Sequence, residues 1–272
     1  MDCPLCRSSD VTLLAEISRR PEVEIDYKIP ENLYFRKIYQ CQDCSVYFNS
    51  HDLIDFTSFY GGHYNQSITP TQSIDARFNR IINIPFELSD NKQRVKRIIE
   101  KLQKEYPDNK TPKVLDVGSG TCVFLYELLK NLSIDAFCID PDNASIDHVS
   151  KNIPQITAQA GTIADISSEQ KFDLITFNKV LEHVIDPINE LSSTKRILHP
   201  SGIIYLELPF GDDIARNHSF SENAEFNVEH ITIYNIRSVE YLAIRAGFKT
   251  IEIETVMDPS GKHTIYAFLK IK

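Results

Sequence analysis

The sequence has no apolar run long enough to cross a bilayer, no excess of basic residues, no internal repeat and no low-complexity tract. The first absence excludes a membrane-spanning helix, which needs about 20 consecutive apolar residues. The N-terminus, Met1-Asp2-Cys3-Pro4, lacks the pattern of a signal peptide, so a cytoplasmic location is expected. A formal net charge of -9 argues against a phosphate-backbone partner, which is held by clustered Lys and Arg, and nucleic acid is not an expected partner. Most of the acidity lies after residue 110, and neither half offers a strong basic face. What is present, 272 residues with 42% hydrophobic and 25% charged, suits one sizeable α/β domain plus a small accessory unit.

Cysteine is confined to six positions. Cys3-Pro4-Leu5-Cys6 and Cys41-Gln42-Asp43-Cys44 are two C-x-x-C pairs, whereas Cys122 and Cys138 stand alone and are expected as small buried packing residues. In a reducing compartment two such pairs read as four thiolates around a tetrahedral zinc rather than as disulfides. With every position filled by sulfur, a structural metal is expected, since a catalytic one keeps an open position. A redox C-x-x-C is the rival reading, although it would need only one pair. Residues 1–50 thus read as a zinc ribbon with strands around Thr12–Ile17 and Tyr34–Tyr39, dependent on its metal for folding.

The most informative stretch is Val114-Leu115-Asp116-Val117-Gly118-Ser119-Gly120. An apolar run ends in an acidic residue and two glycines, then a helix begins. Some twenty residues on, a second apolar run ends in Asp140. This is the layout of a nucleoside site at the carboxyl edge of a parallel sheet, with Asp140 placed to accept from ribose hydroxyls. Dinucleotide enzymes carry a third glycine where this chain has Val123. An acidic loop without that glycine suits a ligand with no phosphates and a positive centre, such as S-adenosylmethionine. A dinucleotide, or a glycine turn without a ligand, stays open at this point.

Beyond residue 110 strands and helices alternate: strand 113–117, helix 122–131, strand 134–139, helix 143–152, strand 156–159, strand 172–177, helix 187–199 and strand 203–208. Helix 236–246 and two strands around Pro259-Ser260-Gly261 finish the chain. This order predicts a Rossmann-like, doubly wound, mostly parallel α/β sheet of about seven strands with an antiparallel C-terminal strand at the edge, preceded by the zinc ribbon. The expected units are 1–70 (zinc ribbon and aromatic cap), 71–110 (helical linker or lid) and 111–272 (main domain, with an acceptor loop at 209–229). Within 71–110, a helix from Ser89 or Asp90 to Tyr106 carries Val95, Ile98, Ile99 and Leu102 at helical spacing.

With these residues laid out, the chain resembles the class I S-adenosylmethionine-dependent methyltransferases over roughly residues 85–272. The matching segments are Val-Leu-Asp-Val-Gly-Ser-Gly at 114–120, Ile-Asp-Pro at 139–141, Phe-Asp-Leu-Ile-Thr-Phe-Asn-Lys-Val-Leu-Glu-His-Val at 172–184 and His-Pro-Ser-Gly at 199–202. The resemblance implies that Asp116, Gly118 and Gly120 contact the methionine end and that Asp140 holds the ribose. It also implies that Thr162 and Ile163 flank the adenine and that Asn178 lies near the methionine. The cysteine pairs make the whole chain similar to zinc-containing methyltransferases of sugar and surface-glycan pathways, including nucleotide-deoxysugar C-methyltransferases. That subset has a Tyr-His-Glu-His-like sequence where this chain has Asn227-Val228-Glu229-His230, so only the last two residues match. The departure points toward O-methylation of a small-molecule or sugar acceptor by a single base.

A sugar hydroxyl is a poor nucleophile until its proton is removed, and a histidine suits that task. His230 is the expected base, with Glu229 orienting it or binding a substrate hydroxyl; the alternative is that His230 packs or caps the next helix. His183, after Glu182, is the competing base. Tyr60 and Tyr64, with His63 between them, read either as an aromatic lid over the cofactor or as ordinary packing. Asp212, Asp213 and Arg216 are expected to be solvated charges. A zinc-ribbon ribosomal RNA methyltransferase and a non-catalytic protein of the same fold are the remaining alternatives. The former would want a shorter interval between cysteine pairs and a basic face.

Overall fold

Alternating residues of the central strands divide the core into two layers. Leu174, Ile203, Tyr205 and Phe268 are buried on one face, and Ile175, Ile204, Leu206 and Leu269 on the other. A sheet covered on both faces needs such strands, with successive side chains sent to opposite layers. The structure is a computed structural model that describes residues 1–24, 27–54, 73–106, 111–217 and 220–272.

The strands in chain order are β1 (Val11–Ile17), β2 (Arg36–Cys41), β3 (Tyr47–Ser50), β4 (Lys113–Val117), β5 (Asp135–Asp140), β6 (Ile156–Ala160) and β7 (Phe172–Asn178). They continue with β8 (Leu198–Pro209), β9 (Thr232–Ile233), β10 (Phe248–Met257) and β11 (His263–Ile271). The described helices are α1 (Ile74–Ile82), α2 (Asp90–Glu105), α3 (Val123–Asn131), α4 (Asn143–Asn152), α5 (Pro187–Ser193), α6 (Gly211–Asn217) and α7 (Ile236–Ala246).

The large sheet has the order β10-β11-β8-β7-β4-β5-β6. The pairs β4–β5, β4–β7, β5–β6 and β7–β8 are parallel, while β11 is antiparallel to both of its neighbours. This is the expected doubly wound fold with an antiparallel C-terminal strand. That strand is not at the edge, however: β11 is inserted between β8 and β10. Its residues Thr264–Leu269 are all buried, which suits an interior strand, whereas β10 is largely half-buried or exposed and forms the edge.

Helix α2 begins as expected, with Ser89 Oγ accepting from the Lys92 amide. Its buried Val95, Ile98 and Leu102 join the layer containing Val114 and Leu125. Helix α5 also begins as expected, with Asp186 as cap and Pro187 in the first turn. It ends earlier than the sequence suggests: α5 stops at Ser193, a 3-10 turn spans Thr194–Arg196, and β8 starts at Leu198. The pairing of β7 with β8 then jumps from Phe172–Leu198 to Leu174–Ile203, so His199-Pro200-Ser201-Gly202 is accommodated as an irregularity within one strand.

The cysteine-bearing N-terminal sheet has the order β1-β2-β3-β9. Its fourth strand comes from residues 232–233, and Tyr47 and Phe48 pair with Ile233 and Thr232. The N-terminal unit is therefore stitched into the main domain beside the loop expected to choose the acceptor. Cys3, Cys41 and Cys44 share a core cluster with Leu181, Tyr234 and Leu242. Within residues 209–229 the chain forms α6 and a 3-10 turn at Ala224–Phe226. Asp212 and Asp213 are not solvated charges: Asp212 accepts from Tyr47 Oη (2.9 Å) and Asn235 Nδ2 (3.0 Å), and Asp213 lies 3.0 Å from His263 Nδ1. No helix among the described residues is long and apolar enough to cross a membrane.

Candidate functional site

The turn after β4 is shaped by two glycines in left-handed conformation, Gly118 at φ +65° and Gly120 at φ +51°. A Cβ at Gly118 would lie 2.8 Å from Val180 Cγ2, so that position is closed by sterics as well as by conformation. A Cβ at Gly120 would meet nothing within 4 Å, because this glycine faces open space. Gly118 N–H donates to the Ile139 carbonyl (2.8 Å) and Gly120 N–H to Asp140 Oδ2 (2.7 Å), fastening the loop to the neighbouring strand end.

The space is a cavity of about 460 Å³ at the carboxyl edge of the sheet, a volume usual for a small-molecule site. One wall is made by Asp116, Gly118–Thr121, Asp140 and Asn178. Asp116 Oδ1 accepts from Thr176 Oγ1 (2.6 Å) and Asn178 Nδ2 (2.8 Å), and burial pushes its carboxyl up to about 7 despite those bonds. Asp140 Oδ1 accepts from the Asp142 amide (2.8 Å); burial raises this carboxyl too. Asn178 Oδ1 is buried and has no hydrogen-bond partner among the described residues, so an acceptor faces the cavity unused.

Segments distant in sequence supply the rest of the lining, a second wall. Lys179, Glu182 and His183 follow β7, while Glu225, Asn227, Glu229 and His230 come from the loop before β9. Lys262 comes from the β10–β11 turn, Arg77 and Ile81 from α1, Arg94 from α2 and Val23 from the N-terminal unit. The Ile231 amide donates to the Glu182 carbonyl (2.8 Å), joining the two histidine-bearing segments. His183 and His230 meet edge to face with centroids 4.7 Å apart.

His230 Nδ1 donates to the Glu225 carbonyl (2.7 Å), because a carbonyl can only accept; Nε2 therefore carries the lone pair. Burial, with His183 adjacent, lowers the His230 pKa to about 4, so the ring is neutral at neutral pH. Glu229 is held by Tyr27 Oη and by Asn227 Nδ2 (3.0 Å), so the orienting bond to the His230 ring comes from Glu225 instead. Beneath this wall, burial opposes ionisation of Glu207, but the Arg94 guanidinium overrides it and holds the carboxyl at about 2.

Asp116, Gly118, Gly120, Asp140, Asn178, His183, Glu229 and His230 are thus brought to one cavity. Thr162 and Ile163 are not among its lining residues. Thr162 is tied to Asp165 in a small capping box, and the Ile163 side chain is in the core. Tyr60 and Tyr64, like His63, lie outside the described residues. Sequence reasoning missed Arg94, Glu225 and Lys262, which have no local spacing that links them to the loop. Glu182, noted in the sequence only as the neighbour of His183, lines the cavity as well.

A second constellation gathers Cys3, Cys6, Cys41 and Cys44, whose sulfurs all lie within 4.8 Å of one another. Cys3 and Cys44 Sγ are 3.6 Å apart and Cys6 and Cys41 Sγ 3.4 Å, too far for disulfides and close to the roughly 3.8 Å edge of a tetrahedral ZnS4 unit. Both knuckles curl alike. The Arg7 amide donates to the Cys3 carbonyl and the Ser45 amide to the Cys41 carbonyl, and Arg7 and Ser45 each adopt φ of 64°.

Residues 88–253 match the family described as a methyltransferase domain. Ubiquinone biosynthesis O-methyltransferases of Haemophilus ducreyi and Actinobacillus pleuropneumoniae are similar to this chain, at 33% identity over 104 residues and 34% over 103. Those alignments cover 35% and 34% of this chain and 44% of each relative, so the chain spans under half the length of these curated relatives. Among solved structures, the plantazolicin methyltransferase BpumL in complex with S-adenosylhomocysteine superimposes with a TM-score of 0.58 at 16% identity, covering 80% of this chain and 96% of that one. The 1,6-didemethyltoxoflavin-N1-methyltransferase of Burkholderia thailandensis, also with S-adenosylhomocysteine, gives 0.53 at 14% identity, covering 85% and 98%. At such identities the superpositions speak for the fold, and the family match carries the assignment. The chain therefore belongs to the methyltransferase domain family.

Proposed function

We propose that the chain methylates a hydroxyl of a sugar or nucleotide-linked sugar, a reaction of polysaccharide or surface-glycan assembly, with His230 taking the hydroxyl proton. The observation that carries this reading is the shared cavity, with a glycine-acid wall and a histidine wall facing one volume. Asp140 would accept from the ribose hydroxyls. Asn178 and Asp116 would receive the ammonium of the methionine end, and the open face of Gly120 would let the cofactor lie against backbone. S-adenosylmethionine supplies the methyl group as a sulfonium, leaving this chain to align the acceptor oxygen and remove its proton. His230 Nε2 holds a lone pair for that purpose.

The histidine wall is polar, with Lys179, Glu225, Asn227, Glu229 and Lys262 around it, which favours an acceptor with several hydroxyls over an apolar one. The relatives named for ubiquinone biosynthesis favour oxygen as the atom methylated and support a second reading, an acceptor of that pathway. Nucleotide-deoxysugar C-methylation is less well served, since Asn227 and Val228 stand where that mechanism has Tyr and His. We also propose that Cys3, Cys6, Cys41 and Cys44 hold a structural zinc, on the strength of their sulfur spacing and their matched knuckles.

Methyl-transfer assays with zinc-loaded protein and a panel of nucleotide sugars, with a phenolic acceptor in parallel, test the acceptor class. Turnover confined to the sugars supports the proposal; turnover confined to the phenol replaces it with the second reading.

A further inference from the structure

We propose that Glu182, His183 and His230 form a second metal site, distinct from the four cysteines, that binds one divalent cation from nitrogen and oxygen ligands. One ligand atom from each of the three residues lies within 4.8 Å of the others. Two histidines and one carboxylate are the ligand set of catalytic metal centres that keep positions open for substrate.

Three features set this cluster apart from a chance meeting. Glu182 is fully buried at 0% exposure, and neither carboxylate oxygen has a hydrogen-bond partner among the described residues. A buried carboxylate without a partner is costly, and a cation is the ligand that satisfies both oxygens at once. Next, His230 has Nδ1 committed to the Glu225 carbonyl (2.7 Å), and His183 Nδ1 lies 3.3 Å from the Glu229 carbonyl. Metal-binding histidines are characteristically oriented by such contacts to backbone carbonyls. Finally, the two segments are locked together by the bond from the Ile231 amide to the Glu182 carbonyl and by the Tyr234 hydroxyl on the Leu181 carbonyl (3.3 Å). The ligands are therefore held by backbone rather than gathered from mobile side chains.

The consequence rests on the methyl-transfer reading and changes one part of it, the role of His230. An acceptor hydroxyl in an open coordination position ionises more readily, as a metal-bound water does. Its proton leaves to water, the oxygen–carbon bond forms, and the methyl–sulfur bond breaks with its electron pair kept on sulfur. With the cation in place, the His230 lone pair is a ligand and not the proton acceptor.

The test is uptake of Mn2+ by the full, zinc-loaded chain, followed by the loss of the free-ion electron paramagnetic resonance signal. Mn2+ favours oxygen and nitrogen ligands, and cysteine sites discriminate against it. One Mn2+ per chain is expected, weakened by more than about 100-fold in Glu182→Gln and in His183→Ala. His183 is only half-buried, and its variant is checked for folding by S-adenosylhomocysteine binding. Wild-type protein that binds S-adenosylhomocysteine but takes up no Mn2+ overturns the metal site and leaves methyl transfer standing. Folded His183→Ala that binds Mn2+ as tightly as wild type overturns the metal site equally. Stoichiometric Mn2+ uptake without S-adenosylhomocysteine binding supports the metal site and removes the methyl-transfer reading.

Discussion

The two walls of the cavity are built in opposite ways. The glycine-acid wall is made largely by two neighbouring strand ends, so Asp116 to Thr121 and Asp140 lie within one β-α-β unit, and only Asn178 comes from outside it, at the end of the adjacent β7. The histidine wall is assembled from segments far apart in the chain, including Glu182, Glu225 to His230 and Lys262. Local spacing is enough to specify the first wall. The second exists only once the sheet has placed β7, the loop before β9 and the β10–β11 turn beside one another. On the proposed assignment, the cofactor side is thus a property of a motif, and the acceptor side a property of the fold.

The cysteine unit belongs with the second wall. Asn49 Nδ2, on β3, donates to the carbonyls of Asn227 (2.9 Å) and His230 (2.7 Å), and the His51 ring contacts the Val228 carbonyl (2.8 Å). If the four cysteines hold zinc as proposed, stripping it should strike the two walls unequally, and this carries the largest expected effect. Structural zinc contributes roughly 10–16 kcal/mol of binding energy to small domains that need it. Chelation is expected to abolish turnover while S-adenosylhomocysteine affinity falls far less. Equal loss of both, followed by calorimetry and methyl transfer on the same sample, would erase the distinction between the walls.

The next effect confines itself to the histidine wall. His230→Ala is expected to lower turnover by roughly 10²- to 10⁴-fold, whether the ring takes the proton itself or holds the cation that ionises the hydroxyl. Single-turnover rates at saturating cofactor check this, and near-normal turnover would return His230 to a packing role.

A smaller effect concerns the buried pair beneath both walls. Glu207→Gln leaves Arg94 without its counter-charge, and a loss of about 3 kcal/mol in unfolding free energy is expected at pH 7. The folded Glu207 carboxyl sits at about 2, below an unfolded value of about 4.3. Its contribution is therefore complete above the unfolded value and lost as pH falls toward 2. Denaturant unfolding of wild type and variant should converge over that window, and a gap that widens with acid would contradict the assignment.

The smallest effect lies on the glycine-acid wall. Gly118→Ala combines a left-handed backbone with a contact to Val180, and about 1–2 kcal/mol of strain predicts roughly tenfold weaker cofactor binding, read by calorimetry.

The same contrast explains what could be read before the fold was known. The sheet, its antiparallel last strand and the cluster of four cysteines were legible because each follows from short-range pattern: apolar runs, a glycine pair and two C-x-x-C knuckles. The interior place of β11 was not, since a tight turn says that two strands pair but not which one faces β8. Asp212 looked like a surface charge because its partners, Tyr47 and Asn235, are remote in sequence. Thr162 is expected beside the adenine by resemblance alone; it follows β6 outside the lining of the cavity, with its hydroxyl on Asp165. Glu225 escaped notice for a related reason, because it acts on the His230 ring through a backbone carbonyl that any residue carries.

If one wall holds the cofactor and the other the acceptor, substitutions on the two walls must separate in a single binding experiment. That experiment is titration of S-adenosylhomocysteine into zinc-loaded wild type, Asp140→Ala and His230→Ala. Binding to wild type, a loss of roughly 10- to 100-fold in Asp140→Ala, and near-unchanged affinity in His230→Ala are expected. Failure of wild type to bind, or a loss in His230→Ala that matches the loss in Asp140→Ala, would contradict the division between the walls.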